Sequence, residues 1–339
     1  MTQALSPIGR GHGHAKLILV GEHWVLDGAV AVAIALPSLH TTAQFTGCAS
    51  GAAEVTYHRP VTYHRPVTYQ WPVTLDGPAT ALAMQMANLA CEQAGIAPAA
   101  IAVESTIPIQ RRLGSSAALA VALVRAAADF RQQTLDDATL LLRARTLEDC
   151  VHGQSSGLDP AAASAAGGAV LFAGGQIVER LPTLAPSLST AFWVLADTGA
   201  GEPAKVAIDG ARLRRQALPA DLYRHWFAAV ALAAQGTAQA LRTGDVAQLA
   251  HHLRAAAATL QPLAIVNETM QLAMQVLSNA GALAVKPTGA GLGGVILGLA
   301  ADATVAAAMT SAAADAGFGV SQFRVASPAA TSVGVYASD

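Results

Sequence analysis

The 339 residues carry a formal net charge of −2, with 20 Lys and Arg against 22 Asp and Glu, and 53% of them are hydrophobic. That length favours two domains over one, the absence of a dense basic run leaves no electrostatic footprint for nucleic acid, and no apolar run approaches the roughly 20 residues that span a bilayer. Cys48, Cys91 and Cys150 are odd in number and widely spaced, which suits neither a disulfide framework nor a zinc site. Reduced, structural thiols are expected.

In chain order, Leu17 to Val20 reads as a buried strand. Followed at once by Glu22 and His23, it is too short for the apolar core of a secretory signal, so a cytoplasmic location is expected. Pro78 to Gly95 predicts a helix with proline in its first turn and glycine after its end, and Ile101 to Ser105 a strand. Ser115 to Phe130 predicts a second helix, and Thr134 with Asp137 resembles a capping box opening a third that runs to about Cys150. Beyond a glycine-rich joint, Ala169 to Phe172 and Ala191 to Ala196 read as strands, and Pro203 to Arg215, Leu222 to Leu241 and Asp245 to Leu260 as helices. Ala282 to Val285 and Gly294 to Leu299 follow as strands, then a helix from Ala301 to Ala316 and strands near Val320 to Val325 and Thr331 to Tyr336. The pattern is α+β. Gly174, Gly175, Pro182 and Pro186 place a domain boundary near residues 175 to 190.

Val55 to Pro60, Val61 to Pro66 and Val67 to Pro72 repeat a six-residue unit, two copies reading Val-Thr-Tyr-His-Arg-Pro. A proline in every sixth position confines the segment to edge strands or an extended loop, and a surface expansion is the simplest reading. Contact of His58, Arg59, His64 and Arg65 with an anionic partner is the alternative.

Four stretches carry chemistry. Pro108-Ile109-Gln110-Arg111-Arg112-Leu113-Gly114-Ser115-Ser116-Ala117-Ala118 passes from a loop into a helix, where free N–H groups and the dipole favour phosphate and Gly114 permits close approach. An ordinary helix cap explains the same residues equally well. Lys286-Pro287-Thr288-Gly289-Ala290-Gly291-Leu292-Gly293-Gly294 lies between two strands, and such glycine density fits a turn pressed against a ligand, or a plain hairpin. It matches neither a Walker loop nor a dinucleotide fingerprint. Glu148 to Asp159 sets two carboxylates about a flexible turn, able to supply a metal ligand and a base, although Asp159 before Pro160 also suits a helix cap. Lys16 to Gly28 puts a lysine before a hydrophobic strand and the pair Glu22 and His23 just after it.

Together these stretches resemble the galactokinase, homoserine kinase, mevalonate kinase and phosphomevalonate kinase (GHMP) superfamily, whose members show Pro-x-x-x-Gly-Leu-Gly-Ser-Ser-Ala-Ala and a late Thr-Gly-Ala-Gly-Gly-Gly-Gly loop. Motif order and spacing cover nearly the whole chain. Gly21-Glu22-His23 followed by Trp24, Val25 and Leu26 is similar to the mevalonate kinase form, and so is His152-Gly153-Gln154-Ser155-Ser156-Gly157-Leu158-Asp159 with Gly167 and Gly168 beyond it. The resemblance implies a two-domain α+β kinase, ribosomal-protein-like over residues 1–180 and ferredoxin-like over 181–339, with ATP between the domains and Mg²⁺ as cofactor. It implies phosphorylation of the primary hydroxyl of (R)-mevalonate. Asp159 would be the base, with Lys16 lowering its pKa and stabilising the transferring phosphoryl. Ser116 and Glu148 would hold the metal. Arg111, Arg112, Leu113, Gly114, Ser115, Ser116 and Ala117, with Gly289 and Gly291, would line the nucleotide, and Glu22, His23, Ser156 and Thr288 the substrate. The partners implied are the acceptor and ATP, with neither nucleic acid nor membrane, and a homodimer is left open.

The chain departs from the family at Arg112 and Leu292, which replace loop glycines, at Pro160, and at His14-Ala15 before Lys16. An arginine at a positive-φ position is strained, so either the loop takes another path or Arg112 turns its guanidinium to phosphate, and the second is preferred. The competing functions are a kinase of the same superfamily for a phosphomevalonate, sugar or homoserine-like alcohol, a diphosphomevalonate decarboxylase, and a non-catalytic binding protein. The Ser156 to Asp159 segment argues against the decarboxylase. A binding protein would be expected to have lost one of Lys16, Ser116, Glu148 and Asp159.

Overall fold

The structure, a computed structural model, describes residues 8–46, 54–58, 78–97, 100–108, 111–153, 155–199 and 201–326. Its first half is built on a long antiparallel pair, β1 (Ile8–Val20) and β2 (Ala31–Thr46), joined through a short 3-10 turn at Trp24–Asp27. The sheet is completed by β3 (Glu54–His58), β4 (Ala100–Ser105), β5 (Ala169–Ala173) and β6 (Gln176–Leu181) in the order β3-β4-β2-β5-β6, with β1 paired to β2. Helices α1 (Pro78–Ala94), α2 (Ser115–Phe130), α3 (Asp137–His152) and α4 (Leu158–Ala163) pack with it.

Strand β1 begins nine residues earlier than the apolar run from Leu17 suggests. Its leading stretch, Gly9-Arg10-Gly11-His12-Gly13-His14, has no large apolar side chain, but its glycines lie flat on α2. A Cβ at Gly9, Gly11 or Gly13 would come within 2.1–2.2 Å of the carbonyl oxygens of Ala126, Ala122 and Ala118. Backbone contact with the helix thus replaces side-chain packing, and it seats β1, with Lys16 near its end, against α2. Strand β2 is absent from the sequence reading because its first six residues, Ala31 to Leu36, are buried on both faces. A continuous apolar run does not distinguish strand from helix.

The second half contains β7 (Phe192–Asp197), α5 (Ala204–Gln216), α6 (Ala220–Thr243), α7 (Val246–Ala258), α8 (Glu268–Asn279), β8 (Ala284–Pro287), β9 (Val295–Ala300), α9 (Ala303–Asp315) and β10 (Gly319–Arg324). Its antiparallel sheet runs β10-β7-β9-β8. Leaving out α5 to α7, inserted after β7, the chain runs β-α-β-β-α-β with its fourth, first, third and second strands side by side, the ferredoxin-like arrangement.

One local reading is corrected, and two further elements appear. The cap of α3 is Asp136, whose side chain accepts from the Thr139 amide, and not Thr134 with Asp137. Strand β6 occupies part of the glycine- and proline-marked joint, and α8 was not expected. The first repeat unit contributes β3, an edge strand parallel to β4. The rest of the repeat and Thr331 to Tyr336 lie outside the described residues.

The two sheets share one core. Leu17, Leu19 and Trp24 from the first half pack in the same cluster as Trp193, Leu253 and Leu297 from the second. The Trp24 indole, fully buried, donates to the Thr259 carbonyl at 3.0 Å, so burying the ring leaves its polar atom satisfied.

Candidate functional site

The end of β1, the start of α2, α3 and the start of α4 converge. Lys16 is 2% exposed, and its ammonium lies 3.0 Å from Oδ2 of Asp159, which is 34% exposed. Three backbone features hold this pair. The Lys16 amide donates to the Leu113 carbonyl at 3.0 Å, tying the strand to the loop before α2. Gly114 leaves room for the lysine stem, since a Cβ there would come 2.8 Å from Lys16 Cγ, and its φ of 78° also favours glycine. Gly157, at φ 89°, precedes α4 and puts Asp159 in its first turn as second residue, with Pro160 third, where a missing amide hydrogen costs nothing. Asp159 is therefore not the helix cap.

Ser116 stands in the first turn of α2, and no side chain caps that end, so the first amides there point out of the helix toward an incoming anion. Its hydroxyl bonds to Glu148 of α3. Glu148 is 1% exposed, and its carboxyl is pushed up to about 8, first by burial and then by the charge of Asp159, with Ser116 and Lys16 opposing. The four residues Lys16, Ser116, Glu148 and Asp159 thus form one electrostatic unit, although the sequence spreads them over 144 positions. Ser156 accepts from the Leu158 amide at 3.2 Å, bracing the turn into α4. Ser115 is partly exposed and Ala117 fully buried.

The two arginines before Leu113 reach the other half of the molecule. Arg111 pairs with Asp197 at the end of β7 at 2.5 Å. Arg112 has the left-handed backbone that favours glycine, φ 64°. Its guanidinium donates to the Glu202 carbonyl at 2.5 Å and lies 3.4 Å from that of Gly291. Gly289 and Gly294 give that side chain space, since a Cβ on either would come within 2.8 Å of it. Leu292, the second replaced glycine, is also left-handed at φ 53°, and its amide donates to the Ile265 carbonyl at 2.7 Å. At Gly291, φ 77°, a Cβ would meet the Ile265 carbonyl at 2.5 Å. Both residues therefore hold a left-handed backbone at the cost of local strain.

Glu22 and Thr288 point into a sealed seam between the halves, not into open space. Glu22 pairs with Lys286, and the two are 2% and 1% exposed. The ammonium also donates to the carbonyls of Ile18 at 3.1 Å and Pro287 at 2.6 Å. Burial pushes the Glu22 carboxyl up and the Lys286 ammonium down, while their mutual attraction opposes both shifts. The Thr288 hydroxyl donates to the Ile18 carbonyl and accepts from its amide, both at 3.1 Å. His23 stands beside this seam with φ 63° and Nε2 3.1 Å from the Ala290 carbonyl, so Nε2 carries the proton. Burial, followed by the charge of Arg215 on α5, holds its pKa down to about 4. Sequence reasoning missed Lys286, Asp197 and Arg215, whose partners lie 86 to 264 residues away.

Comparison with known proteins bears on the family and the fold. Residues 81–168 match the GHMP kinases N terminal domain and residues 237–318 the GHMP kinases C terminal family. A mevalonate kinase of Aeropyrum pernix is 27% identical over 294 residues, 86% of this chain and 88% of that one. The structure of L. major mevalonate kinase in complex with R-mevalonate superposes with a TM-score of 0.77 at 21% identity, covering 93% of this chain and 94% of that one. A Streptococcus pneumoniae phosphomevalonate kinase reaches a TM-score of 0.71 at 17% identity, covering 93% and 99%. The fold is therefore common to kinases of different acceptors. Among the described residues no helix is long and apolar enough to cross a membrane.

Proposed function

Because the chain belongs to the GHMP kinases, carrying both their N-terminal and C-terminal domains and hence an ATP-dependent phosphotransferase fold, we propose that it phosphorylates the primary hydroxyl of (R)-mevalonate to 5-phosphomevalonate. The observation that carries this reading is the Lys16–Asp159 pair set beside Ser116 and Glu148 at an uncapped helix N-terminus. Residues 1–180 and 181–339 are taken as the two kinase domains, and the enzyme as cytoplasmic.

Asp159, a third exposed, is the group able to take the acceptor proton. The Lys16 ammonium, 3.0 Å from that carboxylate, lies where negative charge moves during phosphoryl transfer. The amides and hydroxyls of Ser115 and Ser116, with Gly114, would cradle the nucleotide phosphates, and Gly289 and Gly291 would close over them from the other domain. A magnesium ion fits the remaining residues. A hydroxyl and a carboxylate are hard oxygen donors, and a carboxyl disfavoured as an anion by burial and by Asp159 gains from a cation. Ser116 and Glu148 would hold it, and it would neutralise the phosphate oxygens. His23 and Ser156 would border the acceptor, with Glu22 and Thr288 supporting His23 from behind.

Arg111 and Arg112 favour mevalonate over an acceptor that already carries phosphate. Arg111 is neutralised by Asp197, and Arg112 is turned to the Glu202 carbonyl. Incubating the protein with ATP, Mg²⁺ and a panel of alcohols, with product identification by mass, tests the reading. Mevalonate is expected to exceed galactose, homoserine and 5-phosphomevalonate by about tenfold or more in kcat/KM, about 1.4 kcal/mol. Turnover of 5-phosphomevalonate or a sugar with none of mevalonate would sink the acceptor assignment.

A further inference from the structure

The segment Trp24–Asp27 leaves the seam through a second ion pair, its arginine buried and its aspartate 29% exposed, that the proposed mechanism does not use. Arg215 ends a buried stripe on α5, Ala207, Ala211, Arg215. It is 1% exposed, and its Nε and Nη2 donate to the two oxygens of Asp27 at 2.6 and 3.0 Å. The Tyr223 hydroxyl of α6 donates to the same carboxylate at 3.1 Å. The guanidinium also lies 5.9 Å from the Trp24 ring centroid, and the Trp24 and Tyr223 rings are 5.7 Å apart. Two side chains of the second half, Arg215 and Tyr223, thus grip one carboxylate and one indole of the first, four residues or fewer from His23.

We infer that Arg215 is a positioning residue for the acceptor end of the site: by gripping Asp27 from α5, it holds His23 in place against the late glycine loop. The reasoning is mechanical. His23 is a non-glycine residue in left-handed backbone, a conformation that costs of the order of 1–3 kcal/mol and persists only where the surroundings impose it. Two anchors impose it, one on each side. Glu22, bound to Lys286, fixes the residue before it, and Asp27, bound to Arg215 and Tyr223, fixes the turn after it. The bidentate geometry also selects arginine, since a lysine supplies a single point charge and not a planar fork.

The inference rests on the reading that His23 borders the acceptor, so its test needs one arm that does not. Arg215→Met, Arg215→Lys and Tyr223→Phe are compared with the unaltered chain by steady-state kinetics and by NMR of the histidine rings, with His23 assigned through His23→Gln. Arg215→Met is expected to raise KM for mevalonate about tenfold while KM for ATP stays within about twofold. Arg215→Lys should recover part of that loss, and Tyr223→Phe should raise KM about two- to threefold. The His23 resonances should move in all three variants. Should Arg215→Met fail to fold, Arg215→Lys and Tyr223→Phe decide the matter. Unchanged His23 resonances in folded variants overturn the inference, as does an equal rise in both KM values. Absence of mevalonate turnover in the unaltered chain overturns the acceptor reading instead, and the ring resonances then still decide the role of Arg215.

Discussion

Two ion pairs flank the exit of β1, and they live in opposite surroundings. In Lys16–Asp159 the carboxylate is 34% exposed, whereas in Glu22–Lys286 both partners are at 2% or less. The first pair lies beside an uncapped helix end and a second carboxyl, so its aspartate can meet a substrate and exchange a proton. The second is closed in by the carbonyls of Ile18 and Pro287 and by Thr288, and exchange there would leave a buried charge alone. Both use a lysine and an acid, so what surrounds the acid, an uncapped helix end and a second carboxyl in one case and closed-in carbonyls in the other, separates the pair suited to chemistry from the pair suited to holding the halves together.

The comparison breaks most visibly at Asp159. Asp159→Asn removes the proton acceptor but keeps shape and hydrogen bonding, and kcat should fall by about 10² to 10⁴ with ATP affinity nearly unchanged. Calorimetric ATP binding on the same preparation serves as the folding control. Retention of full kcat would take Asp159 out of the mechanism. At the sealed pair the effect should be on stability. Lys286→Met leaves Glu22 buried without its partner, and a loss of about 3–5 kcal/mol in denaturant unfolding is expected. A loss below about 1 kcal/mol would mean that water reaches Glu22 and that the seam is open.

Legibility from sequence follows the same division. Ser116, Glu148 and Asp159 can be picked out because each sits in a contiguous motif whose residue types suit phosphate, metal or proton, and the fold brings them together with Lys16. The seam was not readable. Ile18 meets Thr288 across 270 positions, Glu22 meets Lys286 across 264 and Asp27 meets Arg215 across 188, and nothing local in the chain announces such partners. Thus Glu22 and Thr288 were expected at the substrate, and their place inside the seam emerged only once both halves were folded together. Most of β1 and β2 escaped for a related reason. A glycine stripe and a doubly buried apolar run carry no period-two signal.

The next effect concerns the open cluster again. If Ser116 and Glu148 share one metal ion, Ser116→Ala and Glu148→Gln should each raise the Mg²⁺ concentration for half-maximal rate by about tenfold, and the double variant should cost less than the sum of the two in free energy. Strict additivity in that cycle would mean that the two residues do not act on one ion.

The smallest effect is expected at Arg112, where two terms nearly cancel. Restoring glycine, as Arg112→Gly, relieves a left-handed backbone that costs an arginine of the order of 1 kcal/mol or more. It also removes the bond to the Glu202 carbonyl, of the order of 1.5–3 kcal/mol for a charged donor and less at a half-exposed site, and adds freedom to the unfolded chain. Unfolding free energy should therefore shift by no more than about 1 kcal/mol in either direction. A loss above about 3 kcal/mol would make Arg112 part of the seam, since sealed partners alone reach that cost. The ATP KM of the same variant separates the remaining roles. A KM within about twofold of the unaltered chain leaves the guanidinium as a tether between loop and domain, whereas a rise of about tenfold places it on the nucleotide phosphates when ATP is bound. In that second case Arg112 exchanges a carbonyl for a phosphate during turnover and belongs with Asp159, among the groups whose surroundings let them act.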